Sequence, residues 1–408
     1  MSDVVERFLK YVNVDTQSSY SSGKTPSTQK QFQLAKMLRK ELESLGAKDV
    51  YLSEEGCLYA KIPSNCPDGE NPPVIGFIAH MDTSPDASGC NIRPRIIKSY
   101  EGGDIQLNQE KGIVMETEKF PHMSDYIGHD LIVTDGTTLL GADDKAGIAQ
   151  IITMAKYFHE HPEEKHGCIK IAFTSDEEIG KGAVHFDVNR FAADFAYTVD
   201  GASTGEVTAE TFNAATALVK IHGKSIHPGH SKNRMVNAIL AGTKFNSMLP
   251  AAQIPAHTEG REGFFHLIEF NGAVDFTTMK YLIRDHDKSK FEFRKKCMSN
   301  IAGYLNGYYG ENMFELEMHD TYYNMTDIIN PIHYIIDHVK TVMLDMGLTP
   351  REEPFRGGTD GACLTYKGLP CPNISAGFQN AHGPYEYISI QAMEINVMIL
   401  INLVRSFL

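Results

Sequence analysis

Apolar positions along the chain follow two spacings, and the switches between them outline its elements. Val4, Val5, Phe8, Leu9 and Val12 recur at helical spacing and predict an opening helix. Leu34, Leu38, Leu42 and Leu45 predict a second, with Ser27 as its cap and Gly46 just past its end. Short Val/Ile/Phe-rich runs at 50–52, 57–62 and 74–79 then read as strands. Beyond Gly147 the period returns to helical through Ile148, Ile151, Ile152 and Ala155. Strands at 168–173 and 195–199 complete the alternation. Such an order predicts an α/β domain with a mostly parallel sheet and helices on both faces.

Near residue 210 the character changes. Ala217, Val219 and Ile221 alternate with polar residues, as in a half-buried strand. A helix over 235–249, strands at 266–270 and 281–285, a helix over 289–304 and an alternating run at Phe314, Leu316 and Met318 follow. The order βαββαβ is that of a small α+β domain with an antiparallel sheet. After residue 325 the earlier pattern resumes: a helix opened by Pro331, the Gly-rich turn RGGTDGA, the NISAG stretch and a last helix from about Gln391. The expected organisation is one discontinuous domain, 1–210 and 322–408, interrupted by an inserted domain at 211–321. The stretch 91–128 has weak periodicity and reads as a long, loop-rich insertion.

Composition narrows the class. The chain has 408 residues, too many for one comfortable core, and its 42% hydrophobic and 22% charged content is ordinary for a globular protein. A formal net charge of −14 argues against nucleic acid or an anionic membrane surface as partner. No apolar run reaches the roughly 20 residues of a membrane span, and the N-terminus lacks a signal-peptide layout. Seven scattered cysteines, none in a C-x-x-C pair, argue against a disulfide framework or thiolate metal site and fit a reducing cytoplasm.

Four apolar runs end at a residue able to hold a metal. VIGFIAH ends at His80, with Asp82 two positions on; LLGAD ends at Asp143; IKIAFTSDEE ends at Glu177 and Glu178; FAYTVD ends at Asp200. Read as buried parallel strands, these runs would deliver one imidazole and several carboxylates to one sheet edge, where α/β proteins bind ligands. Imidazole and carboxylate donors suit Zn, Mn or Co. Asp82 returns to the face of His80 and could orient its ring. Taken alone, His-x-Asp is also a common surface pair, and Asp143-Asp144 also suits a helix N-terminus. The carboxylate of Asp143 has two oxygens and could bridge metals about 3.5–4 Å apart. Three acids in a row, Asp176 to Glu178, directly after a strand are poorly explained by solubility. One could ligate while its neighbour stays free as general base.

Several of these segments occur together in one family. HMDTSPD, TTLLGADDKAGIA, FTSDEEIGKGA, YTVDG, RGGTDGA and AHGPYE, in this order, resemble the M20 metallopeptidases, two-zinc exopeptidases and deacylases. The resemblance covers nearly the whole chain. The 91–128 insertion with its GGD, the HFD after GKGA, and the EGFFHL and DTYYNM segments point to the tripeptide aminopeptidase branch. It implies two Zn2+ per subunit, with Co2+ or Mn2+ as alternatives. One would be held by His80 and Asp200, the other by Glu178 and His382, and Asp143 would bridge. Glu177 would be the general base, Asp82 would steer His80, and the peptide bond between Asp143 and Asp144 would be cis. The inserted domain would be a lid. Its His227, in IHPGHSKNRMVNA, would polarise the scissile carbonyl, while Arg284 and Arg356 would clamp a substrate carboxylate. Either arginine is equally well read as a structural ion pair. The implied partner is a small peptide, and a homodimer is left open.

Rival functions are a two-zinc carboxypeptidase or N-acyl amino acid deacylase on the same scaffold, or a non-catalytic binding homologue. The last should have lost ligands, yet every expected position is filled. GASTG at 201–205 matches G-x-S-x-G literally, but no helical stripe follows, so a nucleophile elbow is rejected. The His-rich run 159–166 lacks H-E-x-x-H spacing and contains Pro162; it reads as a solvated helix end.

Overall fold

The computed structural model describes residues 1–408, and the chain separates into two compact units. The first comprises residues 1–209, 328–353 and 359–408; the second comprises 210–327 and 354–358.

The first unit is built on an eight-stranded sheet ordered Lys48–Leu52, Leu58–Ile62, Ile169–Thr174, Ile75–His80, Phe195–Gly201, Asn373–Ser375, Glu206–Thr208 and Arg351–Glu352. Its central four strands run parallel, and antiparallel pairs occur towards the edges. Helices cover both faces, as the sequence predicts. On one, Ile78, Ala172 and Ala196 pack with Phe186, Phe191 and Leu364. On the other, Phe77 stacks on Tyr197, whose hydroxyl donates to the Ile335 carbonyl of helix Tyr334–Asp345. Register sets the level of the site. Ile75 pairs with both Ile169 and Phe195, so His80 lies opposite Thr174 and, two residues beyond the Ile78–Thr198 pair, level with Asp200.

Three sequence expectations are corrected or extended. The run LLGAD is not a strand: Leu139 and Leu140 are buried outside any sheet, Gly141 turns the backbone to φ +76°, and Asp143, with non-helical backbone, sits at the kinked start of helix Ala142–Glu160. The strand nearby is Leu131–Val133. It belongs to a separate antiparallel sheet with Arg95–Ile97, Tyr387–Ser389 and Phe378–Gln379. Two leucines before a left-handed glycine are too few to extend as a strand. Second, the 91–128 stretch, loop-rich as expected, also carries short elements of its own. It holds the hairpin Ile105–Asn108/Ile113–Met115 and an apolar cluster of its own, in which Tyr100, Leu107, Met115 and Met123 meet Leu131, Val133 and Tyr387. Strands of three or four residues are too short to show a period. Third, Ser27 does not cap the second helix, which begins at Gln31; its hydroxyl is spent on Asp176.

The second unit has the order Asn213–His222, Ala238–Met248, Phe264–Gly272, Phe276–Asp285, Lys288–Tyr309 and Phe314–Tyr322: β, α, β, β, α, β. Its four strands form an antiparallel sheet, with Asn213–His222 and Phe276–Asp285 at the centre. Ala217, Val219 and Ile221 face a core shared with Phe245, Phe291 and Met298 of the two helices. This is the α+β layout that the alternation predicts.

Candidate metal centre

Parallel strands end where their backbone carbonyls and the next loops face outward, so side chains at the last residue converge there. His80, the final residue of its strand, is 2% exposed. Its Nε2 lies 2.8 Å from Asp143 Oδ1 and 3.7 Å from Asp200 Oδ1. On the opposite side of Asp143, Oδ2 is 3.2 Å from His382 Nε2, which is 2.9 Å from Glu178 Oε2. Five of the expected ligands thus form one chain, Asp200–His80–Asp143–His382–Glu178, with each oxygen of Asp143 meeting a different imidazole. Two overlapping groups with the spacing of a metal site emerge: His80, Asp143 and Glu178, and His80, Asp144 and Asp200. Asp143 suits the bridge better than Asp144, whose oxygens are occupied by the backbone N–H groups of His80 and Gly147. The peptide bond between the two aspartates is cis.

The frame around these side chains is made of carboxylates that accept from backbone. Asp82, fully buried, accepts from the N–H groups of Glu177 and Glu178 at 3.0 and 3.2 Å. His80 Nδ1 lies 3.0 Å from the Asp82 carbonyl and 3.5 Å from its Oδ1, so the backbone oxygen of residue 82 is nearer the ring than its carboxylate. Glu386 accepts from the N–H groups of Leu140, Gly141 and Asp143, which fixes the turn that presents Asp143. Asp176 accepts from the Ser27 N–H, the Ser27 hydroxyl and Gln31 Nε2. Glu386 and Asp176 were missed as site residues at the sequence level, although both lie in quoted motifs. Nothing in a linear pattern distinguishes an acid that binds a ligand from one that binds backbone.

Electrostatics follow from burying so many acids together. Burial raises Glu178 to about 7, and burial followed by neighbouring charge raises Glu177 and Asp200 well above the usual carboxylate range. Burial also opposes ionisation of Asp143, but hydrogen bonds from His382 and His80 hold it below the usual value. Hydrogen bonds to Asp143 and Glu178 push His382 up to about 11. His80 is also raised, by Asp200, Asp143 and Asp82, against the effect of its burial. Glu178 Oε1 is buried without a hydrogen-bond partner. An orphaned carboxylate oxygen in such a surplus of negative charge fits a divalent cation, since buried charge persists only when compensated.

The three remaining candidates lie in the second unit. His227 is exposed, its Nδ1 accepting from the Gly229 N–H at 3.2 Å. Arg284 is half-buried, with Nη1 donating to the carbonyls of Ala215 and Ile283 and the guanidinium 5.4 Å from the Tyr322 ring centre. Arg356 donates through both Nη atoms to Thr258, Gly260 and Glu262.

A parallel-sheet edge gathering imidazoles and carboxylates, with a separate α+β unit inserted in the chain, has the donor set of a metal-dependent enzyme. A model of peptidase family M20/M25/M40 matches residues 131–406, and the chain belongs to that family. Its relatives sharpen the placement to one group. Peptidase T of Clostridium novyi is 49% identical over 407 residues, covering 100% of both chains. Peptidase T of Geobacillus thermodenitrificans is 48% identical, covering 99% of this chain and 98% of its own. Among solved structures, aminopeptidase PepT from Bacillus cereus shares the fold with a TM-score of 0.77 at 22% identity, covering 99% of this chain and 98% of its own.

Proposed function

We propose that the protein is a metallo-aminopeptidase that releases the N-terminal residue of tripeptides, using two divalent ions, zinc by first choice. The observation that carries this reading is Asp143, whose two oxygens each meet a histidine that is itself paired with a further carboxylate. His80 and Asp200 would hold one ion, Glu178 and His382 the other, with Asp143 shared. Bound there, the ions would supply Lewis acidity, lowering the pKa of a water and polarising the scissile carbonyl. Glu177, which neither ligand set requires, takes a proton from the attacking water and returns it to the leaving amine. His227 donates to the oxyanion that forms on the carbonyl. Arg284 and Arg356 are the proposed carboxylate clamp. Arg284 is the stronger choice because its backbone bonds run through Nη1, whereas Arg356 uses both Nη atoms. In this reading the inserted unit acts as a lid. The relatives named peptidase T and the PepT fold support the activity. All seven cysteines are free, which supports a reducing compartment such as the cytoplasm.

Product masses from a tripeptide and its N-acetylated form test the reading. Release of the N-terminal residue from the free peptide alone is expected, with activity lost on chelation and restored by about two metals per chain. Cleavage of the acetylated peptide, or release of the C-terminal residue, would replace this reading with the deacylase or carboxypeptidase one.

A further inference from the structure

Asp360 is a buried acid in RGGTDGA that neither the metal set nor the proton transfer uses. Its Oδ2 accepts from the Thr174 hydroxyl at 2.8 Å, and its carboxylate also accepts from the Ala183 N–H. Thr174 is the last residue of the strand that leads into the three-acid turn, and Ala183 lies just beyond that turn. Asp360 therefore holds both ends of the segment 175–182, which carries Glu177 and Glu178. Gly182 shows how closely they fit: a Cβ there would lie 2.3 Å from Asp360 Oδ2. The rest of the segment hangs on two other carboxylates, Asp82 at the N–H groups of Glu177 and Glu178, and Asp176 at Ser27 and Gln31. Within it, left-handed residues at Asp176 and Gly180 bracket a single 3-10 turn, Glu177–Ile179. A turn with so few bonds of its own takes its geometry from its anchors.

We infer that Asp360 is a positioning residue for the general base: it clamps Thr174 to Ala183 and so fixes the turn that aims Glu177. Both of its partners donate, so the requirement is for acceptors at the right places more than for charge. An asparagine can meet it, because its carbonyl oxygen accepts from the Ala183 N–H while its amide donates to the rotatable Thr174 hydroxyl.

The inference rests on the peptidase reading and on Glu177 as base, so Glu177→Gln is measured alongside. A nearly inactive Glu177→Gln with an active wild type secures that reading; an active Glu177→Gln overturns the reading itself. Steady-state kinetics on a tripeptide then compare Asp360→Ala, Asp360→Asn and Gly182→Ala, with metal content and thermal midpoint recorded for each. Asp360→Ala and Gly182→Ala are expected to lower kcat at least tenfold with KM within about threefold and about two metals retained. Asp360→Asn is expected to recover kcat to within about threefold of wild type. Unchanged kcat in folded Asp360→Ala overturns the clamp. A folded Asp360→Asn as slow as Asp360→Ala overturns it in favour of a charge effect. Loss of metal from Asp360→Ala would move the role to metal retention. If Asp360→Ala does not fold, the Asn and Gly182→Ala variants decide alone: a slow Gly182→Ala with a fast Asp360→Asn supports the clamp, and any other pair overturns it.

Discussion

Adjacent glutamates that share a backbone anchor can still serve different ends. Asp82 accepts from the N–H of both Glu177 and Glu178, yet only Glu178 reaches an imidazole, 2.9 Å from His382 Nε2. Glu177→Ala should therefore retain about two metals per chain by elemental analysis while turnover falls by about 10²–10⁴-fold. Near-normal turnover would remove Glu177 as base. A different residue reports on the burial itself. Lys145, fully buried beside the centre, donates from Nζ to the Val14 carbonyl, and burial lowers its pKa from 10.5 to about 8. Between those values the unfolded chain is protonated and the folded one is not, so stability rises with pH through the window from about 8 to 10.5. Relative to Lys145→Met, the wild type should gain up to about 3 kcal/mol across it. Urea unfolding of the chelated proteins at about pH 7.5 and about pH 10 checks the sign. A constant difference would show that Lys145 is not held as an unfavourable cation.

Elements deliver these residues only because their close approaches are kept open. Gly147 lies in helix Ala142–Glu160, and a Cβ there would sit 2.0 Å from the Val199 carbonyl of strand Phe195–Gly201. The clash is with backbone, which cannot rotate aside. Gly147→Ala should destabilise by about 3 kcal/mol and weaken metal binding, because Asp143 and Asp200, two of the proposed ligands, move apart; an unchanged urea midpoint would refute it. Glu386 acts at the same junction. Removing its carboxylate strips acceptors from three buried N–H groups, so Glu386→Ala should cost about 3 kcal/mol or more by the same measurement. Elements also explain what the linear pattern hid. The alternation of strand and helix was legible because runs such as 169–174 and 195–201 are long and apolar. The LLGAD run misled because burial without a period looks alike in a strand and in a buried turn.

For the whole molecule, a folded acid cluster that the unfolded chain cannot reproduce couples metal to stability. At about a thousandfold excess over its dissociation constant, a bound ion adds about 4 kcal/mol. Zinc should raise the thermal midpoint of the chelated protein, and His382→Ala should reduce that gain and also lower the metal-free midpoint, because it strips Asp143 and Glu178 of the imidazole that pairs with them. A midpoint indifferent to zinc would argue against the site. The sequence by itself determined the parallel sheet, the βαββαβ order and the supply of imidazole and carboxylate donors. Period, β-propensity and donor chemistry are local properties and survive in a linear reading. Only the tertiary structure decided that Asp143 approaches from the kinked turn that leads into a helix, that its two oxygens face different histidines, and that Asp82, Asp176, Asp360 and Glu386 bind backbone. Which hydrogen-bond donor a buried carboxylate meets depends on segments far apart in the chain, and the amino-acid type is the same whether the partner is a metal, a hydroxyl or an amide.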